Sequence, residues 1–228
     1  MKDSDFTTLF VVTADQRDSR HHSDAVDPVL EQLRALSPTP WVLPAERTAG
    51  DEVQLLVNSP ANLVRVLEVL VRDGRWWIGV GLGTVEQPLP ESTREARGGA
   101  YLAARKAVEL AHRSPTGLRL VGDEAVSADA YGDCMRRAET ALWLWQEVLA
   151  RRSSEGWQIV DLLEEGLGVG EAARRLGISP SAVSQRHRRA AWEQSVRGRD
   201  LCADLLLQAQ QSVSETLRGR AVEVGSAR

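Results

Sequence analysis

Apolar residues along this 228-residue chain follow two rhythms, and the change from one to the other divides it. Up to about residue 122, short β-branched and aliphatic runs alternate with helical stretches; beyond it only helical spacing remains. Residues 7–13, TTLFVVT, read as a buried strand with Asp15 directly after it. Asp18, Ser19 and Arg20 lead into a helix whose Val26, Val29, Leu30, Leu33 and Leu36 keep helical spacing until Pro38 and Pro40. Strands at 41–47 and 53–57 flank Gly50-Asp51-Glu52, a candidate tight hairpin. Ser59 and Pro60 open a helix that stops at Asp73-Gly74. In the strand at 76–84, Gly79, Gly81 and Gly83 alternate with Ile78, Val80 and Leu82, leaving one face bare for a closely packed helix or a flat ligand. A loop at 87–97, a helix from Gly98 to about His112 and a short edge strand at 117–121 complete this half. Helices packed on a mixed sheet follow from that order, an α+β layer.

The second half is all helical. Residues 131–152, with Leu142, Trp143, Trp145, Val148 and Leu149, form a connector helix, and 157–165 form the first helix of the next unit. Residues 169–192, VGEAARRLGISPSAVSQRHRRAAW, have the spacing of a helix-turn-helix: Ala173 at the helix crossing, Gly177 in the turn, Val183 on the second helix. Ser179 is a fitting N-cap and Pro180 a fitting first helical residue. Ser181, Ser184, Gln185 and Arg188 then share one exposed face suited to a DNA major groove, with Arg186 and Arg189 on its flanks for phosphates. Arg186 stands where such motifs are usually apolar, so His187 or Ala190 has to complete the packing. Farther on, Leu201, Leu205, Ala209, Val213 and Leu217 make a stripe that fits either a dimer seam or a helix folded back on its own domain.

Charge sharpens this division. The chain carries a net −4, yet between Arg174 and Arg199 seven arginines stand against one carboxylate, Glu193. A basic patch on an acidic chain points to nucleic acid. Residues 1–127 hold 14 basic and 18 acidic residues, which gives the first half a separate task. Without a membrane-length apolar run or an export leader, a cytoplasmic protein is expected. Cys134 and Cys202 have no ligand pattern around them and read as core residues.

The first half resembles the SatD family through VVTADQRDSR at 11–20, AGDEVQLLV at 49–57, IGVGLG at 78–83 and GGAYLAARKAVELAH at 98–112. By strand order and the GDE hairpin, that family is similar to palm-type nucleotidyl cyclases and diguanylate cyclases, which implies a ferredoxin-like, palm-type α/β sandwich. In those enzymes a carboxylate after the first strand and another at the hairpin hold divalent metal. Carried over, the resemblance implies Mg2+ on Asp15 with Asp51 or Glu52, and Arg17, Ser19, Arg20 and Arg105 around a nucleotide. This chain departs from the cyclases at Ala49 and Val53, where they have glycine and phenylalanine. The expected organisation is thus a sheet domain over 1–122, a connector helix over 123–154, and an all-α helix-turn-helix domain with a C-terminal helix over 155–228.

Three functions fit these features. The leading one is a transcriptional regulator that binds double-stranded DNA as a homodimer and senses a nucleotide or another small anion through its first domain, with no catalytic residue. The second is a metal-dependent nucleotidyl cyclase or transferase tethered to DNA. In the third, a degenerate first domain serves as a scaffold for dimerisation.

Overall fold

The computed structural model describes residues 6–48, 50–124 and 128–226. Strand β1 (Phe6–Gln16) outlasts its apolar run because it pairs along its whole length with β4 (Trp76–Glu86), Phe6 opposite Glu86 and Gln16 opposite Trp76. Asp15 therefore lies inside the ladder, not after it. The chain then turns over 17–22, with Asp18 at a φ of 50°, and α1 (Val26–Arg34) starts later than expected. The buried Gln16 side chain accepts from Ala25 N (2.8 Å) and donates to the Ser23 carbonyl (2.9 Å), which holds this turn open and leaves Ser19 and Arg20 outside any helix.

Strands β2 (Leu43–Arg47) and β3 (Glu52–Val57) form the expected hairpin, closed by Thr48 N donating to the Glu52 carbonyl at 3.0 Å. Gly50 takes a φ of 51° in the turn; Ala49 is outside the described residues. Helix α2 (Pro60–Asp73) has the predicted ends, Ser59 accepting from Asn62 N and Gly74 left-handed at φ 76°.

The sheet order is β2-β3-β1-β4-β5. Its first four strands are mutually antiparallel and, with α1 and α2, make a ferredoxin-like β-α-β-β-α-β unit. Helix α3 (Gly99–Ala111) crosses over to add β5 (Leu118–Gly122) parallel to β4. One sheet face carries Phe10, Val12, Leu55, Val57, Ile78 and Leu82 into the main core with α1 and α2. On the other face α3 lies directly on the glycines of β4. A Cβ on Gly79 would stand 2.3 Å from Val108 N, and one on Gly81 would stand 2.1 Å from the Ala100 carbonyl. The bare face is thus filled by a helix, and Ala100, Ala103, Ala104 and Ala107 are what let it approach. Asp123, 3% exposed, holds the start of α3: its carboxylate accepts from Thr84 N (3.1 Å) and Oγ1 (2.7 Å) and faces Gly99.

Helix α4 (Ala128–Ala150) leaves the sheet and α8 (Trp192–Ser226) returns to it. Between them sit α5 (Ser154–Glu164), α6 (Val169–Leu176) and α7 (Pro180–Arg189). Glu139 of α4 accepts from Leu120 N (2.9 Å) and Arg119 Nε (2.7 Å), covering the β5 edge. The buried line of α8 is Cys202, Leu206, Ala209 and Val213, which joins the main core with Leu142 and Trp145 of α4, while Leu201 is 54% exposed. Of the two readings of the α8 stripe, the chain takes the helix folded back on its own domain. No helix among the described residues is long and apolar enough to cross a membrane.

Candidate functional sites

Helices α5, α6 and α7 enclose a small core of Ile159, Leu162, Ala172, Ala173 and Val183, with Leu176 and Ile178 closing it around the turn. Gly177 ends α6 at φ 65°, the left-handed conformation a glycine adopts without steric cost. Ser179 caps α7 by accepting from Ala182 N at 3.2 Å, and Pro180 opens it. Ser181, Ser184, Gln185 and Arg188 all emerge exposed on one side. Ser179 and Ser181 hydroxyls lie 2.9 Å apart, and Ser184 donates to the Pro180 carbonyl at 3.0 Å. Ala190 supplies the packing that Arg186 does not, being 2% exposed beside the Trp157 cluster. His187 is half-buried and packs on the Trp192 ring at 5.4 Å.

The basic patch is smaller than the charge count implied. Arg175 pairs with Glu165 (3.3 Å) and Arg197 with Glu193 (2.6 Å). Arg199 turns away from α7 altogether, bridging Glu68 (3.0 Å) and Glu164 (2.9 Å). Among the described residues, Arg174, Arg186, Arg188 and Arg189 carry no ion pair and make up the patch.

At the hairpin end of the sheet, pairing sets Asp15 directly opposite Glu52. Burial, then the neighbouring Asp51, pushes the Asp15 carboxyl above its ordinary value; His112 and Arg105 pull it back and Glu52 adds to the rise. Two basic side chains from α3 and its cap face the pair: Arg105 reaches Glu52 at 3.2 Å, and His112 Nε2 lies 3.6 Å from Asp15. Thr48 donates to Glu52 as well. The hairpin brings Asp51 and Glu52 near Asp15, and basic side chains and a hydroxyl of the protein itself meet Glu52 and Asp15. Among the described residues no three His, Cys, Asp or Glu side chains are grouped to hold a metal ion, and a Mg2+ ion on Asp15 and Glu52 would have to displace their contacts with His112 and Arg105.

Of the four expected nucleotide contacts, only Arg105 is brought to the carboxylates. Arg17 points elsewhere: it donates to the carbonyls of Trp76 (2.8 Å) and Thr116 (3.3 Å) and lies 4.1 Å over the Trp77 ring. Its half-buried guanidinium braces the turn against β4, committing Nε and one Nη2 donor of its five to backbone carbonyls. Ser19 and Arg20 stay in the turn at 17–22. Sequence reasoning passed over Thr48 and His112. Strand alternation and helix periodicity carried a signal for His112, which lies seven residues after Arg105 and so on the same side of α3.

A third cluster joins the two halves. Arg72 of α2 clamps Asp161 of α5 with two bonds of 2.6 and 2.8 Å and lies 4.6 Å over Trp157. Arg152, 7% exposed, donates to the Ala190 carbonyl (2.9 Å) and Ser195 Oγ (2.8 Å) and lies 4.2 Å over Trp157. Burial raises the Glu68 carboxyl despite Arg199 beside it. A cavity of about 540 Å3 opens between α1, α2 and the helical unit at this point, lined by Leu36, Val69 and Trp157 with Glu68, Arg72, Glu164 and Arg199.

No protein-family model matches the chain, and no curated protein matches it. Among solved structures, it is similar to one described as a regulator of polyketide synthase expression from Bifidobacterium adolescentis. The two are 16% identical, the match covers 92% of this chain and 82% of that one, and the TM-score is 0.28. At that level the likeness bears on neither ligand nor mechanism.

Proposed function

We propose that this chain is a sequence-specific DNA-binding transcriptional regulator. The observation that carries the reading is the α7 face: four exposed polar side chains, Ser181, Ser184, Gln185 and Arg188, on a helix capped at a defined residue and seated on its own small core. Gln185 and Arg188 can read adenine and guanine edges by paired hydrogen bonds, and Arg189 beside them suits a phosphate. A pseudo-palindromic operator would recruit two copies. The dimer contact then lies somewhere other than the α8 stripe, which the chain's own core consumes.

Signal transfer in this reading is linkage between the sheet domain and α7. A small anion that favours one seating of the helical unit changes DNA affinity by its differential affinity for the two seatings, about 1–3 kcal/mol. The Arg72–Asp161 clamp and the Glu68–Arg199–Glu164 bridge are the contacts such a ligand would bias. The scaffold reading of the sheet domain has one observation in its favour, the capture of Glu52 and Asp15 by Arg105 and His112.

The test is selection of binding sites from random duplexes by the full-length chain. The expected result is an enriched motif, with Arg188→Ala costing about 1–3 kcal/mol on it and relaxing the choice of base at one position. No enrichment and no affinity for any duplex at low salt overturns the proposal.

A further inference from the structure

A second concave surface lies beside α7. The end of α4, the first turn of α5 and the last turn of α7 border a cleft of about 430 Å3 lined by Arg151, Ser153, Glu155, Arg186 and Arg189, with Gly156 and Ala190 at its base. Three arginines from two separate parts of the chain thus share one hollow with a single carboxylate. Arg151 is 82% exposed and only 3.6 Å from Glu147, a loose pair that leaves its guanidinium free to move. Arg189 follows Arg188 directly and stands about 100° around the helix from it. The cleft therefore flanks the face assigned to the groove, on the side where a DNA backbone would run.

The first turn of α5 already places one carboxylate, Glu155, in this hollow. Hydrogen bonding from its own backbone N–H and from the Ser153 and Ser154 hydroxyls, with Arg186 nearby, holds its carboxyl below the ordinary value. A carboxylate there uses the donors that a phosphate would use. Gly156 packs against Arg152, whose Cγ a Cβ there would meet at 2.8 Å, so this wall of the cleft is close-packed.

We propose that this cleft seats one backbone phosphate of DNA, held jointly by Arg151, Arg186 and Arg189, with Glu155 as the built-in competitor that the phosphate displaces. The DNA surface then extends past the two-helix motif onto the end of α4 and the start of α5. This inference rests on the DNA-binding reading and adds residues 151, 153 and 155 to it.

The experiment measures the salt dependence of full-length protein binding to a 30-base-pair random duplex. Arg151→Ala is expected to lower affinity severalfold and to reduce the salt slope by a measurable part of about 0.9, the share of the one phosphate it helps to hold. Glu155→Gln is expected to tighten binding. Arg151→Ala made on top of Arg189→Ala should add less than it does alone, because both serve one phosphate. Arg113→Ala, exposed on the far face of the sheet, serves as the net-charge control and should leave the slope unchanged.

If Arg151→Ala and Glu155→Gln bind as wild type while Arg189→Ala weakens binding, the cleft proposal is overturned and DNA binding stands. If Arg113→Ala matches Arg151→Ala, the effect is net charge and the proposal falls. Should inorganic phosphate raise the melting temperature of wild type but not of Arg151→Ala while the DNA slopes are unaltered, the cleft takes a free anion and the DNA assignment is overturned. If wild type binds no duplex at all, the underlying reading fails first.

Discussion

Arg17 illustrates how a residue's chemistry and its use can part. Its type and place after β1 suit a phosphate contact, yet its Nε and Nη2 donate to the Trp76 and Thr116 carbonyls and its plane lies over Trp77. Arg17→Ala is accordingly expected to destabilise the fold by about 1–3 kcal/mol in urea denaturation, through lost hydrogen bonds and ring packing. A surface phosphate ligand would leave stability unchanged. Glu68 makes a pH-dependent counterpart. Its folded carboxyl holds a proton more tightly than the unfolded chain, whose ordinary value is 4.5, because burial outweighs Arg199. Its contribution is therefore greatest below that value and is lost as pH rises through the folded value. Stability of wild type relative to Glu68→Gln should fall as pH rises from about 4.5 toward neutrality, measured by denaturation at a series of pH values. A difference that grew with pH would mean that Arg199 outweighs burial. Neither role was legible in the sequence, since Arg17 meets Thr116 across 99 positions and Arg199 meets Glu68 across 131.

Elements proved more legible than residues wherever their ends are coded locally. Ser59-Pro60 and Gly74 bound α2, and Ser179-Pro180 and Gly177 bound α7 and α6, because cap hydrogen bonds and left-handed glycines are made by neighbours in sequence. Strand ends were not so coded: β1 runs to Gln16 because β3 and β4 both pair with it. The glycine-bearing face of β4 announced a close approach, and α3 makes it. Gly81→Ala is expected to cost about 3 kcal/mol, since the new methyl would meet α3 backbone that cannot yield without shifting the helix. Thermal or chemical denaturation checks this. A loss well under 1 kcal/mol would mean that α3 slides on the sheet.

At the scale of the molecule, the two halves are not separable in the way the change of rhythm suggests. Helix α8 buries Cys202, Leu206, Ala209 and Val213 in the same core as β1, β4 and α2, and α4 packs along it. A fragment of residues 128–228 would leave that stripe in water without a sheet to cover it. It is expected to self-associate on gel filtration and to lack a cooperative melt in circular dichroism, whereas the full chain melts cooperatively. A monomeric fragment with a sharp transition would show that α4 and α8 stabilise the helical unit unaided. The same packing gives the sheet domain a mechanical route to α7 through α2, Asp161 and Trp157.

The sequence by itself determined the kinds and order of the elements, the α6–turn–α7 pair with its cap and turn, the hairpin that brings the carboxylates near one another and the face that α7 exposes, because each depends on periodicity or on contacts within a few residues. Only the tertiary structure decided which charges remain available. It spent Arg17 on backbone carbonyls, Arg199 on Glu68 and Glu164, Arg105 and His112 on Glu52 and Asp15, and the α8 stripe on the chain's own core. Those outcomes hang on pairings between distant segments, where a side chain's partner is fixed by how sheets and helices stack and not by its neighbours along the chain.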